Sequence, residues 1–161
     1  MTIATPTRRE RILDAITERL VAISIANGFR TDLGKVIVVG EIPRFGPDDP
    51  TQALAVLPRE DQIGETLSNI PIIWPIDIGI LLSAAVSKPW KTVEAGIHDV
   101  KRAMELEDRG LGGLLTGGRN NVEGMLRGTT ESYPRVSGTD AVGALITYAF
   151  KYVEAWGNPA A

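Results

Sequence analysis

The single histidine of this chain, His98, stands directly before Asp99, and a histidine beside a carboxylate is where triad or acid–base chemistry is first sought. Adjacent residues on a helix point about 100° apart, so this carboxylate is poorly placed to orient the imidazole toward a serine. The spacing predicts a histidine on a helix flank, with Glu94 and Arg102 one turn away. One histidine and no cysteine argue against a transition-metal site and exclude disulfides and thiolate nucleophiles.

Gly110 to Arg119, GLGGLLTGGR, has the composition of a phosphate loop but not its order. A P-loop needs a lysine where Gly118 stands, and it must follow a strand, whereas this segment follows a helical pattern. Carboxylates cluster at Asp48-Asp49, Glu60-Asp61 and Glu105/Glu107/Asp108, all in segments that read as exposed, and acid–base catalysis needs a pair held in different environments of one cleft. Asp77 is the one acidic residue inside an apolar strand pattern, expected to face solvent or a neighbouring subunit. Tyr148, Tyr152 and Trp156 share one strand parity and could stack bases, but Lys151 is the only cation interleaved with them, so packing is the better reading. The sequence thus implies no catalytic residue, cofactor or metal.

The elements that would position these residues read as two helices and a mainly antiparallel sheet of about four to five strands, an α+β fold. Ile12, Leu13, Ile16, Leu20 and Ile23 recur at helical spacing across Thr7 to Ile25, with Thr5 or Thr7 as cap and Asn27-Gly28 as stop. Lys35 to Val39 is a short β-branched strand, expected to be covered on both faces. Gly40 to Gln52, with Pro43, Pro47 and Pro50, is a long loop or arm. Ala53 to Leu57 is a further strand. In Ile70 to Val86 the alternation is clean, with Pro71 and Pro75 on the polar parity, which suggests an edge position or a bulge, and a sheet edge in the isolated subunit is expected. The second helix opens near Ser87-Lys88-Pro89 and runs to about Glu107, with Trp90, Val93, Ile97, Val100 and Met104 as its buried stripe. Val122 to Arg127 is a weaker strand and Glu131 to Thr139 is turn-like. Ala141 to Ala155 is the strongest strand, about 50 Å long at about 3.3 Å per residue. It must bend, or its end must project.

An apolar fraction of 43% and a charged fraction of 23% suit a single ordered domain, and a chain of this length buries about 70% of its extended surface. Seventeen basic and twenty acidic side chains leave a net charge of −3, too little scattered positive charge for a tight grip on a phosphate backbone. Passage of nucleic acid without a grip is compatible with that balance. The N-terminus lacks a secretory-signal pattern and no apolar run is long enough to span a bilayer, so synthesis in the cytosol and no membrane partner are expected.

The order of elements, together with Arg30-Thr31-Asp32-Leu33-Gly34, Pro89-Trp90-Lys91-Thr92-Val93-Glu94, Ile97-His98-Asp99-Val100-Lys101-Arg102-Ala103, Val142-Gly143-Ala144 and Trp156-Gly157-Asn158-Pro159, resembles the tail terminator and tail-completion proteins of long-tailed bacteriophages. The resemblance spans most of residues 1–161, through short, non-catalytic motifs. It implies a structural subunit of a virion that forms a homohexameric ring on the head-proximal end of the tail tube. Its partners would be further copies of itself, the tube protein and the head–tail connector, with DNA passing through the lumen. A head-side completion or connector ring is the alternative within the virion, and a small enzyme or ligand-binding domain using Asp77 or His98 is the alternative outside it.

A closed ring joins unlike patches on successive subunits. Candidate patches are the arm, with Arg44, Phe45, Asp48 and Asp49, the strand carrying Asp77, the glycine-rich loop at Arg119, and the end of the last strand, with Lys151, Glu154 and Trp156. Mixed charges such as Arg44 with Asp48-Asp49 suit register between neighbours.

Overall fold

Helix α1 (Arg8–Val21) begins where a threonine can satisfy its first free amides. In the computed structural model, which describes residues 5–64, 69–115, 124–133 and 141–158, the Glu10 amide donates to Thr7 Oγ1 at 3.2 Å and the Thr7 amide donates to Glu10 Oε2 at 2.6 Å. This is a reciprocal capping box. Ile12, Ile16 and Leu20 bury one face. The helix stops at Ala22 rather than Ile25, and the Asn27-Gly28 signal instead closes a separate 3-10 turn, Ile25–Asn27, with Gly28 at φ 80°.

A second 3-10 turn, Leu33–Lys35, takes the start of the expected next strand, leaving β1 (Ile37–Val39). β1 is only half covered, because it is the parallel outer partner of β2 (Gln52–Pro58). The two-residue β3 (Gln62–Ile63) follows; it is too short to carry any periodicity and was absent from the sequence expectation. Next come β4 (Asn69–Ser83), α2 (Pro89–Glu105), β5 (Met125–Tyr133) and β6 (Ala141–Ala155). The strand order is β1-β2-β4-β6-β5, with β3 pairing with β4 beyond the end of β2. All pairings except β1–β2 are antiparallel, so the fold is α+β, with six strands rather than four to five.

The β4–β6 ribbon is its spine. The strands pair residue for residue from Asn69↔Ala155 to Ser83↔Ala141, so β6 has a partner along its whole length and no part of it projects alone. The expected edge position of β4 is therefore wrong. Its prolines are tolerated because they fall where its other neighbour is interrupted: Pro58 ends β2, Gln62 begins β3, and Pro75 faces Arg59 in the gap. The Arg59 amide donates to the Pro75 carbonyl at 2.9 Å, and the return bond that proline lacks is supplied by Trp74 Nε1, which donates to the Arg59 carbonyl at 3.0 Å. Pro71 sits just past β3 and accepts from the Gly64 amide at 2.8 Å.

Even-numbered residues of β4 and β6 face the helices and form the core, with Trp74, Ile76, Ile78, Tyr148, Phe150 and Tyr152 all at most 1% exposed. Val93, Ile97, Val100 and Met104 of α2 pack on them. Trp90 does not, being 63% exposed. It belongs to the first turn of α2, which starts at Lys88 (φ 51°) without a side-chain cap. Glu131–Tyr133 belongs to β5 rather than to a turn, while 134–140 lie outside the described residues.

Candidate assembly surface

The sheet has two faces and the helices cover one. On the other, odd-numbered residues of β4 and β6 and their neighbours in β2 and β5 form a surface over which, among the described residues, no helix or strand lies. Leu57, Leu81, Leu145, Ala149 and Val153 are half-buried there, and Ile73, Leu126 and Tyr133 are exposed. Leu81 Cδ1 and Leu145 Cδ2 lean over Gly79, where an added Cβ would meet each at 3.3 Å. The two leucines thereby close the middle of the sheet. Beside them Ile42, Leu57, Leu81, Tyr133 and Leu145 line an apolar groove of about 360 Å³. The Asp77 and Thr147 row divides these side chains into two apolar patches, and exposed apolar patches rimmed by polar groups are characteristic of interaction sites.

The arm, residues 40–51, leaves the same side. The Gly40 amide donates to the Val56 carbonyl at 2.8 Å, which anchors its root on β2. Beyond it no regular structure forms, and Ile42, Arg44 and Asp48 are exposed while Phe45 is half-buried. Asp49 is exposed and braces the arm internally. Its Oδ2 accepts from the Gly46 amide at 2.6 Å, and its own amide donates to the Gly46 carbonyl at 3.2 Å, closing a turn.

At the far end of the ribbon Lys151 lies on the uncovered face opposite Ile73, and Glu154 is half-buried opposite Ile70. The chain then reverses through Trp156 and Gly157 (φ 73°), and the Asn158 amide donates back to the Ala155 carbonyl at 3.0 Å. Trp156 stands on this turn 67% exposed. Arg119 lies outside the described residues. The arm thus adjoins the uncovered face through Ile42, while the Trp156 turn stands apart at the far end of the ribbon.

Asp77 corrects a further expectation. It faces neither solvent nor a neighbour but is 3% exposed, with Oδ2 in an ion pair with an Arg59 Nη2 at 2.5 Å and Oδ1 accepting from Thr147 Oγ1 at 2.7 Å. Alternation does put it on the uncovered side, but the register Leu57↔Asp77↔Thr147 walls it in. Both oxygens are engaged within the subunit. Nearby, the Tyr133 hydroxyl donates to Glu131 at 2.7 Å, and that bond to a carboxylate pushes the phenol above its ordinary value.

His98 does touch Asp99, with Nδ1 3.4 Å from Oδ1, yet the carboxylate is fully buried and serves another segment. Its Oδ2 accepts from the Arg30 amide at 2.9 Å, the Thr31 amide at 2.8 Å and Thr31 Oγ1 at 2.8 Å. Arg102 reinforces this by donating to the Gly28 carbonyl at 2.8 Å with its guanidinium 4.8 Å from the Phe29 ring. Two of the short motifs are therefore one device: α2 clamps residues 28–31, and Leu33 Cδ1 fills the space a side chain at Gly96 would need, 2.7 Å from its Cβ position. Periodicity missed Asp99, although the small residues Ala95, Gly96 and Ala103 beside it signal close approach. Among the described residues no three His, Asp or Glu side chains converge to hold a metal ion, and no helix is long and apolar enough to cross a membrane.

No family model matches the chain, and no curated protein does. Among solved structures, a chain in the "Virion of native gene transfer agent (GTA) particle" is similar over 88% of this chain and 92% of its own, with a TM-score of 0.57 and 14% identity. At that identity the likeness is one of fold.

Proposed function

We propose that this chain is a non-catalytic virion assembly protein that closes into a ring of about six copies on the head-proximal end of a phage tail tube, ending tube growth and presenting a surface to the head connector. The observation that carries the reading is the uncovered apolar face of the β4–β6 ribbon, which the subunit leaves for another protein to bury. The arm beside that face and the Trp156 turn at the far end of the ribbon add further patches, and head-to-tail closure joins unlike patches. The resemblance of the motifs to tail terminators and the shared fold with a chain of a virion particle support the same reading. A net charge of −3 suits a lumen that DNA crosses without being held. The engaged oxygens of Asp77 and the burial of Asp99 speak against catalysis by either.

The test is native mass spectrometry of the purified protein with and without tube subunits, and electron microscopy of particles made without it. Rings that cap tubes, and overlong tubes in their absence, are expected. Tubes of normal length on headless particles would move the protein to the head side, and a strictly monomeric chain that caps nothing would refute the reading.

A further inference from the structure

The sheet ends on two open edges. At one, β5 pairs with β6 on one side only, and every residue of it after Met125 is exposed. The strand carries none of the prolines or lysines that commonly protect an edge. Its one irregularity is a register shift between Arg127 and Thr130, after which residues 130–133 pair regularly with β6. At the other edge stands β1, with Val39 45% exposed.

Following the registers across the sheet brings these two edges level. The row of Ile37 runs through Leu54, Ile80 and Ala144 to Ser132, and the row of Val39 runs through Val56, Ile78 and Ile146 to Thr130. All of β1 therefore lies on the rows of the regular stretch of β5. Beyond Val39 the chain leaves the sheet at Gly40 (φ 85°), on the side where β5 shifts register. The hydrogen-bonding groups match as well. The Leu54 amide donates to the Val36 carbonyl and the Gly40 amide to the Val56 carbonyl, each at 2.8 Å, so even-numbered residues of this stretch face β2 and the backbone groups of Ile37 and Val39 point outward. The Lys151 amide donates to the Gly124 carbonyl at 2.8 Å, so odd-numbered residues of β6 face β5. Glu131, opposite Leu145, answers them, and the groups of Thr130 and Ser132 point outward. Among the described residues, none of these four has a backbone partner beyond its own ladder.

β1 and β2 run together, and the steps from β2 to β4, β4 to β6 and β6 to β5 each reverse direction, so β5 runs opposite to β1. We infer that β1 of one copy adds to β5 of the next as an antiparallel strand, with Ile37 opposite Ser132 and Val39 opposite Thr130, carrying the sheet from subunit to subunit. Antiparallel is the stronger pairing, and Val39 against Thr130 sets two β-branched side chains together. All four side chains stand on the helix side of the sheet, so the helices of both copies fall on one side and their uncovered faces join on the other. The inference rests on the ring reading and names its contact. The two edges are unlike, so the addition repeats head to tail, and neighbours that meet on level rows have no rise between them, as closure requires.

The absence of cysteine makes a clean test, with Val39→Cys and Thr130→Cys introduced singly and together. Within one subunit these positions are about 19 Å apart, four strand spacings of about 4.8 Å, beyond the reach of a short bis-maleimide. On the assembled protein the double variant should give a ladder of covalent oligomers ending at the ring, a mixture of the two single variants should give dimers only, and each single variant alone should give none. Dimers from Thr130→Cys alone, which mean that β5 meets β5, or no ladder from a protein whose native mass shows a ring, overturn the pairing while leaving the ring reading intact. A parent protein that forms no oligomer overturns both. As a second measurement without cysteine, Ser132→Pro removes an outward amide and leaves the ladder to β6 in place, so it should weaken assembly about tenfold, whereas Ser132→Ala should not. A folded proline variant that assembles as well as the alanine one overturns the pairing, and if the proline variant does not fold the covalent ladder decides.

Discussion

Replacing Asp99 with alanine tests the clamp between α2 and residues 28–31. The carboxylate is fully buried and one oxygen takes three donors, two from Thr31 and one from the Arg30 amide. Each buried donor left without a partner costs about 1–3 kcal/mol. The Arg30 amide is only part-buried and water can reach it, so Thr31 dominates, and Asp99→Ala should lower stability by about 3–5 kcal/mol. A domain of this size has about 5–15 kcal/mol in total, so the variant should fold but be marginal. Asp99→Asn keeps an acceptor oxygen and gives up only the added strength of the charged form, about 1–2 kcal/mol. The measurement is urea unfolding at neutral pH followed by circular dichroism, with an unchanged slope to show that the same surface is exposed. An alanine variant within about 1 kcal/mol of the parent would refute the clamp, and an asparagine variant as damaged as the alanine one would shift its cause from geometry to charge.

Trp156→Ala should leave the stability of the isolated subunit within about 0.5 kcal/mol of the parent, because the ring is largely in solvent, while reducing assembly; loss of monomer stability would show that the turn packs on its own fold. Gly143→Ala places a Cβ against the Ile80 carbonyl oxygen near the Ser83↔Ala141 end of the ribbon and should cost about 1–3 kcal/mol in thermal or urea unfolding. Tyr152 and Tyr148 are buried, and burial pushes the Tyr152 phenol up to about 12 and that of Tyr148 above its ordinary value of 10.0. The unfolded chain loses these protons first as pH rises, so stability should be intact below pH 10.0 and fall above it, through about 12 for Tyr152. Tyr152→Phe and Tyr148→Phe should each flatten that alkaline decline, followed by unfolding midpoints and by tyrosinate absorbance.

Elements whose signal is local were legible. The run of apolar residues at helical spacing, with Thr5 or Thr7 before it, announces the first helix, and Ala141–Ala155 announces a strand because Val142, Ala144, Ile146, Tyr148, Phe150 and Tyr152 keep one parity. Position within the sheet was not legible, since period-2 alternation tells which face a residue takes and nothing about how many strands flank it. Pro71 and Pro75 read as edge signals, yet β4 is central, because the interruption that accommodates them lies in β2 and β3, a different part of the chain. Trp90 keeps helical spacing with Val93 and Ile97 but sits in the first turn, at the margin of what α2 covers. For the candidate surface, the arm was evident from its prolines, whereas the uncovered face was hidden: Leu81, Leu145 and Ala149 look like ordinary strand residues until the helices are seen to lie on the other side.

The pairing of β4 with β6 also governs how the subunit is made. Their partners are separated by 155 − 69 = 86 residues at one end and 141 − 83 = 58 at the other, with α2 and β5 in between. Contacts so distant along the chain close slowly, because loop entropy is lost before the ladder repays it. Until β6 arrives, β4 presents a fifteen-residue open edge beside apolar side chains on both faces, a template for wrong pairing with other chains. β6 is also the last strand of the sheet in chain order, so a nascent chain cannot complete its spine until every other strand of the sheet has been made. Refolding should therefore be slow and yield should fall steeply with protein concentration, with aggregation rather than equilibrium stability setting the limit.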